Sequence, residues 1–260
     1  MTRKSSGALI YKNYERNHVI WPGREPALKA FVSSTYKNIS HKFANAHSSN
    51  SEDALTWSCF DVLDQVQGKR RTQALTELWE DSFAFGPSVP APADFSNNAS
   101  GVEIRVGKKY EAKGVGTTEV DASLEGPNLL VFFEAKLYST MSLARAGRPH
   151  DQIAHKIRIG LELAAQQGKE FYFIFLDIAP REKLYQRRPW KDATNSKLTG
   201  YRNKWKSAYW FWRYKRLGAR PGTNPLRKVL PAGANTPQVA ERMGWLTWAD
   251  LFKIVLRAVV

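Results

Sequence analysis

Residues 119–136 read EVDASLEGPNLLVFFEAK, and this stretch carries the pattern that decides the fold. Its first part alternates like a strand, residues 125–128 have turn chemistry, and a continuous apolar run begins at Leu129. Because that run is too apolar for a half-exposed strand, we expect a central strand over about residues 129–138 that is buried on both faces. The stretch therefore predicts a β-hairpin whose second strand lies inside a sheet.

The register of this hairpin brings ionisable side chains together. A turn centred on residues 127–128 places Asp121 directly opposite Glu134, with the two side chains about 5 Å apart on one face. Glu134 and Lys136 are two residues apart on one strand, so they share that face as well. Glu119 is expected to point away from the face that carries Asp121. Burial of a single charge there is costly unless another charge balances it.

Apolar spacing elsewhere in the chain predicts an α/β order of elements. Helices are expected over about residues 25–45, 51–67, 72–83, 150–167 and 248–259, and further strands over 102–106, 117–124 and 171–178. Ser49 followed by Glu52 is typical of a capping box at the start of the second helix, and Gly168 is expected to end the fourth. The Pro-rich stretch 86–101 is predicted to be a loop. The order of helix, three strands, helix and strand indicates an α/β core.

The cysteine count and the hydropathy of the chain exclude several classes of protein. Cys59 lies among apolar residues, so we expect a buried core thiol. One cysteine excludes a disulfide framework and a Cys-cluster zinc site. No run of about 18 apolar residues could span a membrane, and the N-terminus lacks the apolar segment of a secretory signal. These features are typical of a soluble protein of the reducing cytoplasm.

Positive charge is concentrated in the last third of the chain. The formal net charge is +15, and residues 181–260 hold 18 Lys and Arg against 4 Asp and Glu, which favours a polyanionic partner. Residues 185–216 interleave cations, which attract phosphates, with aromatic side chains, which can stack on bases. The alternative is a helix that packs Trp205, Tyr209 and Trp212 into the core and exposes a solvated basic face. The residues predicted to contact nucleic acid are Arg187, Arg188, Lys191, Arg202, Lys204, Lys206, Arg213, Lys215 and Arg216.

The carboxylates of the hairpin are suited to a divalent metal. Asp121 and Glu134 repel each other at the predicted separation, and a hard cation such as Mg²⁺, for which Mn²⁺ can substitute, relieves that repulsion. Such a cation polarises a phosphate oxygen and lowers the pKa of a bound water. Lys136 is placed to stabilise the developing negative charge or to orient the attacking water. The set is suited to hydrolysis of a phosphodiester.

The spacing of these residues resembles the signature of the PD-(D/E)XK superfamily, the restriction-endonuclease-like nucleases. Asp121 is followed after twelve residues by Glu134, Ala135 and Lys136, and Val120 stands where the namesake proline would be. The resemblance covers about residues 48–180. It implies an α-β-β-β-α-β core with a central mixed sheet flanked by helices. It also implies metal ligation by Asp121 and Glu134 and a catalytic role for Lys136.

Two helical positions extend the resemblance. Glu52 lies where the superfamily often has an acidic residue on the preceding helix, which implies a third metal ligand, with Asp53 as the competing candidate. Gln152 lies where a polar residue, commonly Gln, follows on the next helix, which implies a catalytic role. The alternatives are a capping role for Glu52 and an exposed helical position for Gln152. His150 and His155 are weaker candidates for contacts with a phosphate or a base.

These inferences together predict a Mg²⁺-dependent deoxyribonuclease that acts on DNA in prokaryotic restriction, defence or repair. The expected organisation is an N-terminal arm and helix over residues 1–47, the nuclease core over 48–180, and a basic region over 181–260 that packs on the core. A non-catalytic nucleic-acid-binding module with a degenerate nuclease fold, an RNA-directed nuclease and a transposition-type strand cleaver remain open. A homodimer is compatible with double-strand cutting, and any ATPase or other defence-system partner would be a separate chain.

Binding of DNA by the basic region should depend steeply on salt. Binding releases the counterions that were condensed on the DNA, and this release is less favourable at higher salt. A surface that neutralises six or more phosphates therefore loses about 10³-fold or more in affinity between about 50 and 200 mM salt. Fluorescence anisotropy with a labelled duplex measures this slope. Alanine at Arg187, Arg188 and Lys191 together should reduce the slope by about one per cation. An affinity that does not change with salt would contradict the predicted phosphate contacts.

Overall fold

The computed structural model describes residues 2–3, 8–35, 41–84, 88–137, 139, 141–147, 149–178, 208, 211–216 and 224–260. The strands are β1 (Thr2–Arg3), β2 (Leu9–Ile10), β3 (Glu103–Ala112), β4 (Gly116–Glu125), β5 (Leu129–Lys136), β6 (Glu170–Asp177) and β7 (Met243–Thr247). The helices are α1 (Glu25–Ser33), α2 (His41–Ala46), α3 (Glu52–Gln65), α4 (Gly68–Ser82), α5 (Ala93–Asn98), α6 (Gln152–Gln167), α7 (Thr236–Glu241) and α8 (Trp248–Val259). Residues 211–216 are also helical.

Within the described residues, five strands form one mixed sheet in the order β3-β4-β5-β6-β7. The first three run antiparallel to their neighbours, whereas β5, β6 and β7 are parallel. Ala122 pairs with Phe133 and Glu125 with Leu130, which confirms the predicted hairpin register. Every residue of β5 is buried, as its apolar run predicts.

Helices cover both faces of this sheet. Val131 and Phe133 of β5 pack into a core that α3, α4 and α8 complete. Leu130 and Phe132 point to the other face, where α6 and the helical segment 211–216 close a second core. The chain is therefore an α/β protein whose sheet lies between two helical layers. Because β5 is central in the sheet, the polar residues Glu134 and Lys136 near its end are also buried.

Two of the predicted segments differ from the structure. The single helix expected over residues 25–45 is replaced by two helices, α1 and α2. The backbone of Ser34 is extended and ends α1, and the hydroxyl of Ser34 donates to the carbonyl of Phe31 at 2.7 Å. The stretch expected to be a loop contains α5. Asp94 of α5 accepts from both nitrogens of Asn128 at 3.0 Å, so this short helix is held by the turn of the hairpin.

The predicted capping box at α3 is wrong. Ser51 is the N-cap, and its hydroxyl accepts from the backbone N–H of Ala54 at 3.2 Å. Ser49 instead accepts from the backbone N–H of Leu9 at 3.0 Å and anchors the N-terminal segment. The carboxylate of Glu52 is therefore available for contacts outside its own helix.

Other predictions are confirmed, and one strand was missed. Gly168 ends α6 in a left-handed conformation with φ of 66°, and Cys59 is buried. β7 was not predicted, because its five residues are too short to show a period and it acquires its partner only when β6 is in place. No helix of the described chain is long and apolar enough to cross a membrane.

The distance between α6 and the sheet depends on Gly160. A Cβ atom there would lie 2.0 Å from Cε2 of Phe171, a buried ring of β6. Gly160→Ala should therefore lower the free energy of unfolding by about 1–3 kcal/mol through overpacking, although alanine is the better helix former by about 1 kcal/mol. Urea unfolding measures the change. Gln167→Ala, at an exposed position of the same helix, is the control and should stay within about 0.5 kcal/mol. An unchanged or raised stability of Gly160→Ala would contradict this packing.

Candidate functional site

Ionisable side chains of β4, β5 and α6 converge at one end of the sheet. Asp121 lies on β4, and Glu134 and Lys136 lie on β5, as the hairpin register predicts. Lys156 approaches the same place from α6. The side chain of Glu134 is 0% exposed, and those of Lys136 and Lys156 are 7% and 2% exposed. These charges are therefore buried as a group.

Glu134 is the centre of this group. Its Oε1 forms an ion pair with Nζ of Lys136, and its Oε2 forms an ion pair with Nζ of Lys156. Nζ of Lys136 also donates to the carbonyl of Ala135 at 2.8 Å. Nζ of Lys156 lies 3.6 Å from Oδ2 of Asp121, so this one ammonium group faces both carboxylates.

Asp121 connects the buried group to an open cleft. Its side chain is 26% exposed, and Oδ2 accepts from the backbone N–H of Ala135 at 2.7 Å. The cleft has a volume of about 550 Å³ and is lined by Lys156 and by residues of the segment 142–155. Asp121 and Lys156 are the members of the charged group that line this cleft.

Burial and opposite charges shift the pKa values of the group. Burial opposes ionisation of Asp121, but the ammonium groups of Lys156 and Lys136 outweigh it and hold the pKa of Asp121 below its ordinary value. Burial and the neighbouring Asp121 carboxylate raise the pKa of Glu134. Burial disfavours charged lysines, yet the surrounding carboxylates raise the pKa of Lys136 and of Lys156. Both lysines are accordingly cationic at neutral pH.

Glu52 reaches the end of β5 from the start of α3. Its carboxylate accepts from the backbone N–H of Leu137 at 2.6 Å and from the hydroxyl of Ser139, and it lies 3.8 Å from Nζ of Lys136. Asp53, the competing candidate, lines the large cleft. The structure thus brings Glu52 to the charged group through Lys136, and it places Asp53 at the cleft wall.

Gln152 lies at the first turn of α6 and also lines the cleft. The side-chain Oε1 of Gln152 accepts from the backbone N–H of Ser142 at 3.3 Å, and the backbone N–H of Gln152 donates to the carbonyl of Ser142 at 2.9 Å. These bonds tie the helix to the preceding loop. The N-cap of α6 is Asp151, which also accepts from the hydroxyl of Tyr214 in the helical segment 211–216.

The predicted orientation of Glu119 is wrong. Residues two apart on a strand share a face, and both Glu119 and Asp121 line the cleft. Oε1 of Glu119 forms an ion pair at 2.7 Å with Nζ of Lys42, a buried lysine of α2. That pairing neutralises Glu119 and leaves Asp121 as the carboxylate that faces Glu134.

His150 and His155 both line the cleft. Nε2 of His155 lies 3.2 Å from the carbonyl of Thr117, so the ring is held against β4. Burial lowers the pKa of His150, and the neighbouring Arg158 adds to this effect. Both histidines therefore lie at the cleft, and their contact with a phosphate or a base stays a prediction.

Lys156 is the site residue that the sequence analysis missed. It follows Gln152 by four residues on α6, so the two share one face of the helix. Ile153 and Ile157 on either side are fully buried. A lysine within a buried apolar stripe that also carries Gln152 is the signal that could have identified it, because such a charge requires a partner.

Most of the predicted nucleic-acid contacts lie outside the described residues. These are Arg187, Arg188, Lys191, Arg202, Lys204 and Lys206. Arg216 is exposed and Arg213 is half-buried. Nζ of Lys215 donates to the carbonyl of Met243 at 2.5 Å, and burial lowers the pKa of Lys215 to about 8. Lys215 thus contacts the end of α7 and β7, and Phe211 and Tyr214 beside it are buried in the core.

The donor atoms of the charged group decide whether a divalent metal fits this site. Among the described residues, no group of three or more His, Cys, Asp and Glu is arranged to hold a metal ion. Mg²⁺ needs only one or two protein carboxylates, because it keeps several waters. Both oxygens of Glu134 are buried, and each is paired with an ammonium group, Oε1 with Lys136 and Oε2 with Lys156. Asp121 and Glu134 therefore fit a hard cation in chemistry, with the ammonium group of Lys156 in the same space.

Removal of the central carboxylate should destabilise the fold. Glu134→Ala leaves Lys136 and Lys156 buried with less opposite charge, and loss of one partner of a buried ion pair typically costs about 3–5 kcal/mol. Chemical denaturation measures the change. Glu111→Ala, an exposed carboxylate of β3, is the control and should change the stability by less than about 0.5 kcal/mol. Equal effects of the two substitutions would show that the buried ion pairs contribute nothing.

Comparison of the chain with protein-family models, with curated proteins and with solved structures gives no match. A function for this chain is therefore argued from the site, since a fold of this class hosts many activities.

Proposed function

We propose that the chain is a Mg²⁺-dependent nuclease that hydrolyses phosphodiester bonds in DNA, and that its core is of the restriction-endonuclease-like kind. One observation carries the proposal. Asp121 and Glu134 face each other from paired strands, with Lys136 on the same face, and Asp121 lines the cleft. With α4 and α5, which lie between α3 and β3, treated as additions, the order α3, β3, β4, β5, α6 and β6 matches the α-β-β-β-α-β arrangement that the PD-(D/E)XK resemblance implies.

The carboxylates are assigned to the metal. Asp121 and Glu134 would hold the ion, and Glu52 would assist from the end of β5, where it already contacts the charged group. A bound Mg²⁺, or Mn²⁺ in its place, polarises a phosphate oxygen and lowers the pKa of a bound water. The hydrogen bond from the N–H of Ala135 fixes Asp121 at the boundary between the buried group and the cleft.

Lys136 is assigned to the phosphate and the attacking water. Hydrolysis joins the oxygen of water to phosphorus and breaks the bond to a sugar oxygen, which takes up a proton. Negative charge develops on the phosphoryl oxygens during this step, and a fixed ammonium group stabilises it. The contacts of Lys136 with Glu134 and with the carbonyl of Ala135 hold that group in place. Gln152, at the cleft wall, is assigned to positioning of the substrate.

The basic region supplies the grip on DNA in this proposal. Its cations attract the phosphate backbone in a manner independent of sequence. Because Asp151 at the N-cap of α6 accepts from Tyr214, contacts of the basic region are linked to the helix that carries Gln152. Restriction, defence or repair in a prokaryotic cytoplasm is the proposed setting, with a homodimer for double-strand cutting and an ATPase or other defence partner on a separate chain.

A second function is favoured by one specific observation. Lysines already neutralise Glu134, and its side chain has no exposed surface. A site closed in this way suits a nucleic-acid-binding module that has kept the nuclease fold without its activity. Metal-dependent cleavage separates the two functions.

The test is cleavage of supercoiled plasmid, linear duplex, single-stranded DNA and RNA in Mg²⁺, Mn²⁺ or EDTA. Asp121→Asn and Lys136→Met should reduce the cleavage rate by on the order of 10²-fold or more, because the first removes a proposed metal ligand and the second removes the cation assigned to the developing charge. Glu111→Gln and Lys113→Met, at exposed positions of β3 and the turn after it, are matched controls and should cut like wild type. DNA binding without cleavage by wild type, and equal binding by the variants, would favour the binding module. Preferential cutting of RNA would reassign the substrate.

A further inference from the structure

Lys156 and Lys136 contact Glu134 in different ways. Lys136 binds Oε1 from within β5, and its other contacts are the carbonyl of Ala135 and Glu52. Lys156 binds Oε2 from α6, across the gap between helix and sheet, and lies 3.6 Å from Asp121. Lys156 is thus the cation that bridges the two carboxylates assigned to the metal.

The charges of the group are nearly balanced without any added ion. Among the described residues, the carboxylates of Asp121, Glu134 and Glu52 face the ammonium groups of Lys136 and Lys156, which leaves one negative charge in excess. A divalent cation would turn this into one positive charge in excess. A phosphodiester carries one negative charge, so the site would then be neutral with the substrate bound.

The ammonium group of Lys156 could move from Glu134 into the adjacent cleft. Lys156 lines the cleft in addition to contacting Glu134, and its side chain has four rotatable bonds. A cation that arrives between Asp121 and Glu134 repels the ammonium group at short range, where the effective dielectric constant is low. Displacement would bring Lys156 into the cleft, which the proposed function assigns to the substrate phosphate.

We propose that Lys156 acts as an internal counter-cation that occupies the space between Asp121 and Glu134 in the metal-free protein, competes with the divalent ion for that space, and contacts the phosphate once displaced. This inference rests on the proposed nuclease function and concerns the control of its metal site. The bridging position of Lys156 between the two carboxylates carries it. A purely structural ion pair would instead leave metal affinity unchanged when Lys156 is replaced by another side chain that packs as well.

The test is a titration of the metal-free protein with Mn²⁺, followed by the electron paramagnetic resonance signal of free Mn²⁺. Lys156→Met keeps an unbranched side chain that is one atom shorter and removes its charge, so Mn²⁺ should bind on the order of tenfold more tightly than to wild type. Lys156→Arg retains the charge and should bind Mn²⁺ like wild type. Lys113→Met, which removes an exposed cation, is the control for net charge, and Asp121→Asn should bind Mn²⁺ weakly.

Two further measurements accompany the titration. Mn²⁺ should raise the melting temperature of Lys156→Met more than that of wild type, because a ligand that binds the native state more tightly stabilises it more. At saturating Mn²⁺, Lys156→Met should cleave DNA more slowly than wild type although it binds the metal better. If Lys156→Met does not fold, Lys156→Gln takes its place in the same comparison.

The outcomes separate this inference from the function on which it rests. Tighter Mn²⁺ binding by Lys156→Met alone supports the internal counter-cation. Equal affinity in wild type, Lys156→Met and Lys113→Met overturns it and leaves the nuclease proposal standing, provided that wild type cleaves DNA. An equal gain in Lys113→Met also overturns it, because the gain would then follow from net charge. Absence of Mn²⁺ binding in every protein overturns both proposals.

Discussion

The carboxylate of Glu134 is buried without contact with solvent, and the cost of that burial constrains the structure around it. A charge in this position is tolerated only when cations lie within ion-pair distance, and Lys136 and Lys156 provide them from β5 and α6. The helix therefore has to pack at one distance and in one rotation relative to the sheet. Gly160 permits the close approach, because a larger residue would collide with Phe171. The arrangement of the charged group and the packing of α6 against the sheet therefore depend on each other.

Elements far apart in the sequence hold the end of β5 in place. Trp248, at the start of α8, donates from Nε1 to the carbonyl of Lys136 at 3.1 Å. Glu52, at the start of α3, accepts from the N–H of Leu137. Asp121 accepts from the N–H of Ala135 on the neighbouring strand. Backbone groups that would be unpaired at the end of a buried strand are satisfied in this way, and the side chains of Glu134 and Lys136 are oriented as a result. Preorganisation of this kind is what electrostatic catalysis requires.

Local pattern predicted the parts of the fold that local chemistry controls. The register of the hairpin follows from turn residues and an apolar run that lie within eighteen consecutive residues, so Asp121 and Glu134 were matched correctly. The end of α6 at Gly168 follows from the conformational freedom of glycine. The N-cap of α3 was assigned to Ser49, because the sequence does not reveal that the N–H of Leu9, forty residues away, uses its hydroxyl. The strand β7 was missed for the same reason: its partner β6 lies more than sixty residues earlier.

Some residues of the candidate site could likewise be inferred from local sequence, and others depend on the packing of distant elements. Asp121, Glu134 and Lys136 could be inferred from the chain because a two-residue period and a tight turn place them on one face. The same period already places Glu119 on that face, and only its ion pair with Lys42 from α2 distinguishes it from Asp121. The sequence signal of Lys156 is its place in an apolar stripe that also carries Gln152, but its partners lie on two strands that precede α6 in the chain. Hydrophobic periodicity and turn chemistry are properties of neighbours in sequence and were readable from it. The balance of buried charge is a property of neighbours in space, and it emerged only when helix and sheet were packed together.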